Sequence, residues 1–279
     1  MRVAWIGNSY TFFNDLPTML ATLAALAPTP INVSHLQVTP GGSSLADHAN
    51  LSKAAGLETK LMLEAARGWD YVVLQDQSET PGGGRDTDAG EAPGVARDKA
   101  EAALSKFYAP AIAAAKATPV LYSTWGRHDG DSVNADCGYG TFEGMTAKTT
   151  EGYEQYAAVL SKAAPAASPA PIIVPAGRAF ELVYTSTDDP LSNTSLFSCL
   201  YHHSGTTVED GGGGGGGCVL DGYGLGGHPS QLGTYLIACT FVAAVLGQSP
   251  VGISWAPDGV SDKQRDLLQQ VALQAVKQL

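Results

Sequence analysis

A short apolar run, Val3-Ala4-Trp5-Ile6-Gly7, passes without a break into Asn8-Ser9-Tyr10-Thr11. A run of that length is read as a buried strand, and strands of this kind belong to parallel sheets with helices on their faces. Ligands of such sheets bind at the carboxyl ends of the strands, so Ser9 is expected at the edge where chemistry is done. More than two hundred residues later, His228-Pro229-Ser230 opens an apolar segment. Pro229 presets the first turn of a helix over about 230–246, which holds His228 just ahead of it. A serine and a histidine placed this way suggest a hydrolase, with the histidine able to act as a base.

The stretch between them alternates strand and helix. Asn14-Asp15-Leu16-Pro17 reads as a cap before a helix over 18–26, and 31–39 as the second strand. An amphipathic helix over 57–67, a strand over 70–74 and an alanine-rich helix over 96–117, kinked at Pro110, follow. Then come a strand over 119–123, a helix over 150–162, a strand over 172–174, and helices over 176–184, 230–246 and 262–279. The rhythm is that of an α/β fold in one domain over 1–279, since no Pro/Ser-rich linker divides the chain. Two long loops interrupt it, at about 125–148 and 186–227, and the second contains seven consecutive glycines, 211–217. Such a tract is entropically costly to order and reads as a tether.

Three segments resemble the sequence blocks of the SGNH (GDSL-type) hydrolase family, in the family's order. Gly7-Asn8-Ser9 corresponds to its Gly-Asp-Ser, with an amide in place of the carboxylate. Pro40-Gly41-Gly42-Ser43 supplies the glycine expected after the second strand, assigned to Gly42, and Leu74-Gln75-Asp76-Gln77 puts Gln77 where the family has asparagine. The His228-Pro229-Ser230 segment corresponds to the fourth block, but the acid expected three residues before the histidine is Leu225, and the nearest upstream carboxylate is Asp221.

The resemblance implies a flavodoxin-like three-layer α/β/α sandwich with a mostly parallel central sheet. It also implies a serine esterase: Ser9 as nucleophile, His228 as base, Asp221 as the acid that orients the imidazole, and the Ser9 and Gly42 N–H groups with the Gln77 amide as oxyanion donors. The implied substrate is a small acyl ester, an O-acetyl group on a carbohydrate being the expected case. Asn8 beside the nucleophile, and Trp125 and Arg127 just past the fourth strand, are the expected substrate contacts. A lipase- or thioesterase-like hydrolase with a longer acyl chain is the enzymatic alternative. The variant residues Asn8, Gln77 and Leu225 motivate another, a non-catalytic ligand-binding protein on the same scaffold.

Composition narrows the partners. With 16 Lys and Arg against 27 Asp and Glu, the formal charge of −11 repels phosphate backbones, and nucleic acid is not expected. No apolar stretch is long enough for a membrane span. The first strand begins almost at Met1 and leaves no room for a signal segment, so the expectation is a soluble chain, cytoplasmic as written; a secreted chain trimmed of its signal would look the same. Cys199 and Cys218 bracket the glycine tract and are either bridged or free thiols, whereas Cys239 reads as a small buried hydrophobe. No cofactor is expected. The spacing of Cys199, His202, His203, Cys218 and His228 matches no common zinc pattern, and Asp129, Asp131, Asn134 and Asp136 lack the rest of a calcium loop. Gly222-x-Gly224-x-x-Gly227 fits a dinucleotide fingerprint in form only, without the strand and acid that should follow it.

Overall fold

The computed structural model describes residues 1–64, 68–84, 92–192, 195–201 and 227–278. Five parallel strands form one sheet in the order β2-β1-β3-β4-β5: β1 Arg2–Ile6, β2 Ser34–Val38, β3 Tyr71–Leu74, β4 Thr118–Ser123 and β5 Ile172–Pro175. Alternation along the strands divides the core into two layers. Val3, Trp5, Val73, Val120, Tyr122 and Val174 point to one face, packed by α2 (Leu16–Leu26), α9 (Ala176–Ser186), α10 (Gln231–Ala244) and α11 (Asp262–Lys277). Ala4, Ile6, Val38, Val72, Leu74 and Leu121 point to the other, packed by α3 (Leu45–Ala49), α4 (Ala54–Glu64), α5 (Val95–Ala103), α6 (Ala109–Ala115) and α8 (Phe142–Ala163). This is the α/β/α sandwich expected from the apolar runs, and its strand order reverses between β1 and β3, the position at which open α/β sheets leave a crevice.

Several boundaries differ from the sequence reading. The alanine-rich helix is broken not at Pro110 but one turn earlier, where Leu104–Tyr108 winds as a π-helix between α5 and α6. A proline removes an N–H and crowds the carbonyl four residues back, and widening the preceding turn accommodates both. The loop expected over 125–148 is largely structured: α7 spans Ser132–Asp136, and α8 starts at Phe142, eight residues before the expected start, with Thr141 capping Gly144 N–H. In the second loop, Ser198–Leu200 forms a 3-10 turn and Tyr201 bridges to Pro229. Gly211–Gly217, Cys218 and Asp221 lie outside the described residues. No described helix is long and apolar enough to cross a membrane, and among the described residues no group of three or more His, Cys, Asp or Glu side chains could hold a metal ion.

Candidate active site

Ser9 begins a four-residue helix, α1 (Ser9–Phe12), directly beyond β1 and beside the β1/β3 crevice. Gly7 makes the tight exit from the strand possible. A Cβ there would lie 2.6 Å from both Gln75 Oε1 and Thr11 Oγ1, so any other residue would displace the side chains that fix the turn. Across this turn, His228 Nε2 is 2.7 Å from Ser9 Oγ. The two residues are 219 positions apart in sequence and share no element, so their contact is a product of the tertiary fold alone.

His228 is held from several sides. Its ring stacks on Phe13, with centroids 4.4 Å apart, and meets Tyr10 edge-on at 5.3 Å. The carbonyl of Gly227, immediately before it, accepts from Trp125 Nε1 at 3.1 Å. The carbonyl of Pro229, immediately after it, accepts from Asn14 Nδ2 at 3.0 Å, and the same amide donates to Thr234 Oγ1 at 2.9 Å. Ser230 caps α10 through Gly233 N–H, while its own hydroxyl and N–H donate to the carbonyls of Cys199 and Leu200. Cys199 is disulfide-bonded; Cys218, the expected partner, lies outside the described residues, as does Asp221.

Asn14 and Asp15 both adopt positive φ, 53° and 50°. Consecutive left-handed residues without glycine are uncommon, and asparagine and aspartate tolerate that region best. The bend aims the Asn14 amide at the His228 segment. The sequence pattern offers this pair only as a helix cap; Asp15 does cap α2, accepting weakly from Thr18 N–H at 3.4 Å, whereas Asn14 holds the His228 segment, a role the cap pattern does not signal.

The segments after β1, β2 and β3 are knitted together by buried side chains. Asn8, only 2 % exposed, accepts from Tyr10 N–H and Gln75 Nε2 through Oδ1 and donates to the Ser43 carbonyl through Nδ2. Gln75 Oε1 in turn accepts from Asn8 N–H and Thr11 Oγ1, both at 2.9 Å. Asp76 Oδ1 accepts from the N–H of Leu45 at 2.8 Å and of Gln77 at 2.9 Å, and Oδ2 accepts from Tyr156 Oη at 2.8 Å. Burial pushes the Asp76 carboxyl up to about 6, against these three hydrogen bonds that favour its ionised form. On the same side, buried His48 links Gly7 and Thr59 through its two ring nitrogens, and burial lowers its proton affinity.

The structure treats the expected site residues differently. Ser9 and His228 meet. Asn8 also lies at the site, but it is sunk beneath the turn with its amide committed to Tyr10, Gln75 and Ser43, which corrects its expected role as a substrate contact. Gly42 sits on the exposed turn after β2 with φ of +70°, and nothing lies within 4 Å of where its Cβ would be; glycine is required there by the backbone angle rather than by close packing. The Gln77 amide nitrogen bonds to the Glu79 carboxylate, and its oxygen accepts from Glu79 N–H.

Trp125 is a second correction. It is fully buried, stacked between Tyr10 at 4.9 Å and Phe180 at 4.3 Å, and presents no ring face for a sugar. The residues after β4 turn inward because Gly126 is pressed against the start of α8, where its N–H donates to Thr146 Oγ1 and an added Cβ would meet Phe142 O at 2.3 Å. Arg127 lies near the edge, paired with Glu79 at 2.6 Å and Asp131 at 3.5 Å.

Solved structures place this architecture among SGNH hydrolase folds. A DUF4886 family protein from Bacteroides uniformis superposes with a TM-score of 0.67 at 16 % identity, covering 99 % of this chain and 95 % of its own. A candidate SGNH hydrolase from Slackia heliotrinireducens gives a TM-score of 0.57 at 22 % identity, covering 88 % of this chain and 98 % of its own. No sequence model of a protein family matches the chain, and no curated protein matches it either. The likeness is one of fold: a five-stranded, all-parallel sheet between two helical layers.

Proposed function

We propose that the protein is a serine esterase that hydrolyses small acyl esters, an O-acetyl group on a carbohydrate being the substrate class, through an acyl-enzyme on Ser9. The observation that carries this reading is the 2.7 Å contact between His228 Nε2 and Ser9 Oγ at the carboxyl edge of the sheet. A serine hydroxyl is a weak nucleophile until a base takes its proton, and this distance is a transfer distance.

In the reaction His228 accepts the Ser9 proton as Oγ attacks the ester carbonyl. The oxyanion draws on the N–H groups of Ser9 and Gly42 and on the Gln77 amide, which keeps a second hydrogen beyond the one given to Glu79. The imidazolium then protonates the departing alkoxide, and water, deprotonated by the same ring, releases the acid and restores Ser9. Asp221 is the proposed partner of the other imidazole nitrogen. The charge of Arg127 is already met by Glu79 and Asp131, which favours an uncharged acceptor over a carboxylate.

The test combines a fluorophosphonate probe with a series of acetyl, butyryl and long-chain esters, on wild type and Ser9→Ala. We expect the label on Ser9 alone, fastest turnover of acetate, and loss of at least about 10³-fold in Ser9→Ala. Preference for long chains would move the protein to the lipase-like class. No label on Ser9, with no ester turned over, would leave a ligand-binding protein on the same scaffold.

A further inference from the structure

We propose that Asp76 is a positioning residue: its buried carboxylate clamps the segment after β2 to the segment after β3 and so sets the spacing of Gly42 N–H and the Gln77 amide, the two groups proposed above as oxyanion donors. The inference rests on the esterase reading for its chemistry and on geometry for the clamp.

The geometry is specific. Oδ1 takes two backbone N–H groups, Leu45 at 2.8 Å and Gln77 at 2.9 Å, one from each segment. Leu45 is the first residue of α3, three positions after Gly42, and its carbonyl is fixed separately by Tyr108 Oη at 3.0 Å. Gln77 N–H belongs to the residue whose side chain is the proposed donor. The second oxygen is held by Tyr156 Oη at 2.8 Å, and the Asp76 N–H donates to Tyr153 Oη at 3.1 Å. Thus α8 braces the clamp through Asp76 itself, and the π-helical turn braces it through the Leu45 carbonyl. A carboxylate accepting two N–H groups from separate segments holds them more tightly than a neutral carbonyl would. The titratable groups facing it are Tyr108 from the π-helical turn, Tyr153 and Tyr156 from α8, and Asp47 from α3; burial raises the three tyrosines and keeps them neutral, and Asp47 is paired with Lys53.

Two measurements test it together. The first follows the backbone amide resonances of Leu45 and Gln77 against pH in wild type, Asp76→Asn and Tyr156→Phe. In wild type both amides titrate with one shared midpoint near that of Asp76. The titration vanishes in Asp76→Asn, and its midpoint rises in Tyr156→Phe, where the carboxylate has lost a donor. The second is the rate of fluorophosphonate labelling at Ser9 together with kcat and KM for an acetyl ester. Asp76→Ala lowers the labelling rate and kcat at least about tenfold with KM within about threefold, the signature of lost transition-state stabilisation, and Asp76→Asn, which keeps an oxygen for the two N–H groups, recovers most of the loss.

Amides that do not titrate together, or a labelling rate and kcat unchanged in folded Asp76→Ala, overturn the proposal; if that variant does not fold, unchanged rates in Tyr156→Phe at a pH between the two midpoints do the same. A wild type that takes no label shows instead that the serine-hydrolase reading has failed, and the amide titration then decides the clamp alone.

Discussion

The Asp76 carboxyl makes a prediction about stability that is independent of substrate. Its ordinary value is 3.8 and the fold raises it to about 6, the largest cause being burial. A carboxyl raised by folding contributes stability that is present below the unfolded value and is lost as pH climbs through the folded value. The gap corresponds to about 3 kcal/mol of differential interaction, so at neutral pH the ionised side chain costs the fold about that much relative to acid. Asp76→Asn cannot ionise and should show no such loss. Measurements belong above about pH 5, because the net charge of −11 at pH 7 falls towards zero as carboxylates protonate and the protein will associate. From about pH 5.2 to 7.5, about 1 kcal/mol of the loss remains to be crossed. With a urea slope of about 3 kcal/mol per molar, the midpoint of wild type should fall relative to that of Asp76→Asn by about 0.3 M over this interval. The change of the difference with pH is the observable, since its offset also contains whatever the amide does to the hydrogen bonds. Parallel midpoints across the interval, or a difference that narrows as pH rises, would refute the reasoning and place the ionised group in a less desolvated setting.

Two further substitutions address the support of His228. Trp125→Ala should destabilise by about 3–5 kcal/mol, as for a fully buried aromatic, with little change in KM, because the ring contacts Tyr10 and Phe180 rather than substrate; a raised KM at unchanged denaturation midpoint would restore it to the pocket. Asn14→Gly suits the positive φ but removes the donors to Pro229 and Thr234, and should cost about 1–3 kcal/mol while lowering kcat by about tenfold through a loosened imidazole; an unchanged labelling rate at Ser9 would show that the bend serves folding only.

Much of the architecture was legible because strand and helix periods are local properties. Val3–Gly7 and Tyr71–Leu74 are apolar runs that can be read without knowing what packs against them, and Pro229 announces α10. The juxtaposition of Ser9 with His228 was legible only through the order of the sequence blocks. What escaped was of another kind. Asn14 bonds to Pro229 across 215 positions, Asn8 to Gln75 across 67 and Asp76 to Tyr156 across 80, and no spacing rule connects such pairs. Trp125 was misread because a tryptophan just past a strand end is equally compatible with a pocket and with a core. Packing of Gly126 against α8 decides for the core. The one local signal that could have been used was the Asn14-Asp15 pair, since these residues tolerate a left-handed bend better than most.

The distribution of buried polar groups also bears on the choice between an active enzyme and a scaffold that only binds. Asn8, Gln75, Asp76 and His48 are buried, and their hydrogen bonds run to the turn around Ser9, to the segment after β2, to the segment after β3, or to the helices that brace them. A buried carboxylate is a poor way to gain stability, because apolar residues of similar volume often do as well or better. It does fix relative position, since an ionised oxygen with two N–H donors tolerates little change in either. Binding a ligand in a crevice needs shape and a few polar contacts, which rigid backbone alone can supply. Stabilising charge that develops during a reaction needs donors held to within about half an ångström before the charge appears. On the esterase reading proposed above, a network that fixes two strand-end segments near the Ser9–His228 contact through the Asp76 carboxylate meets the second requirement.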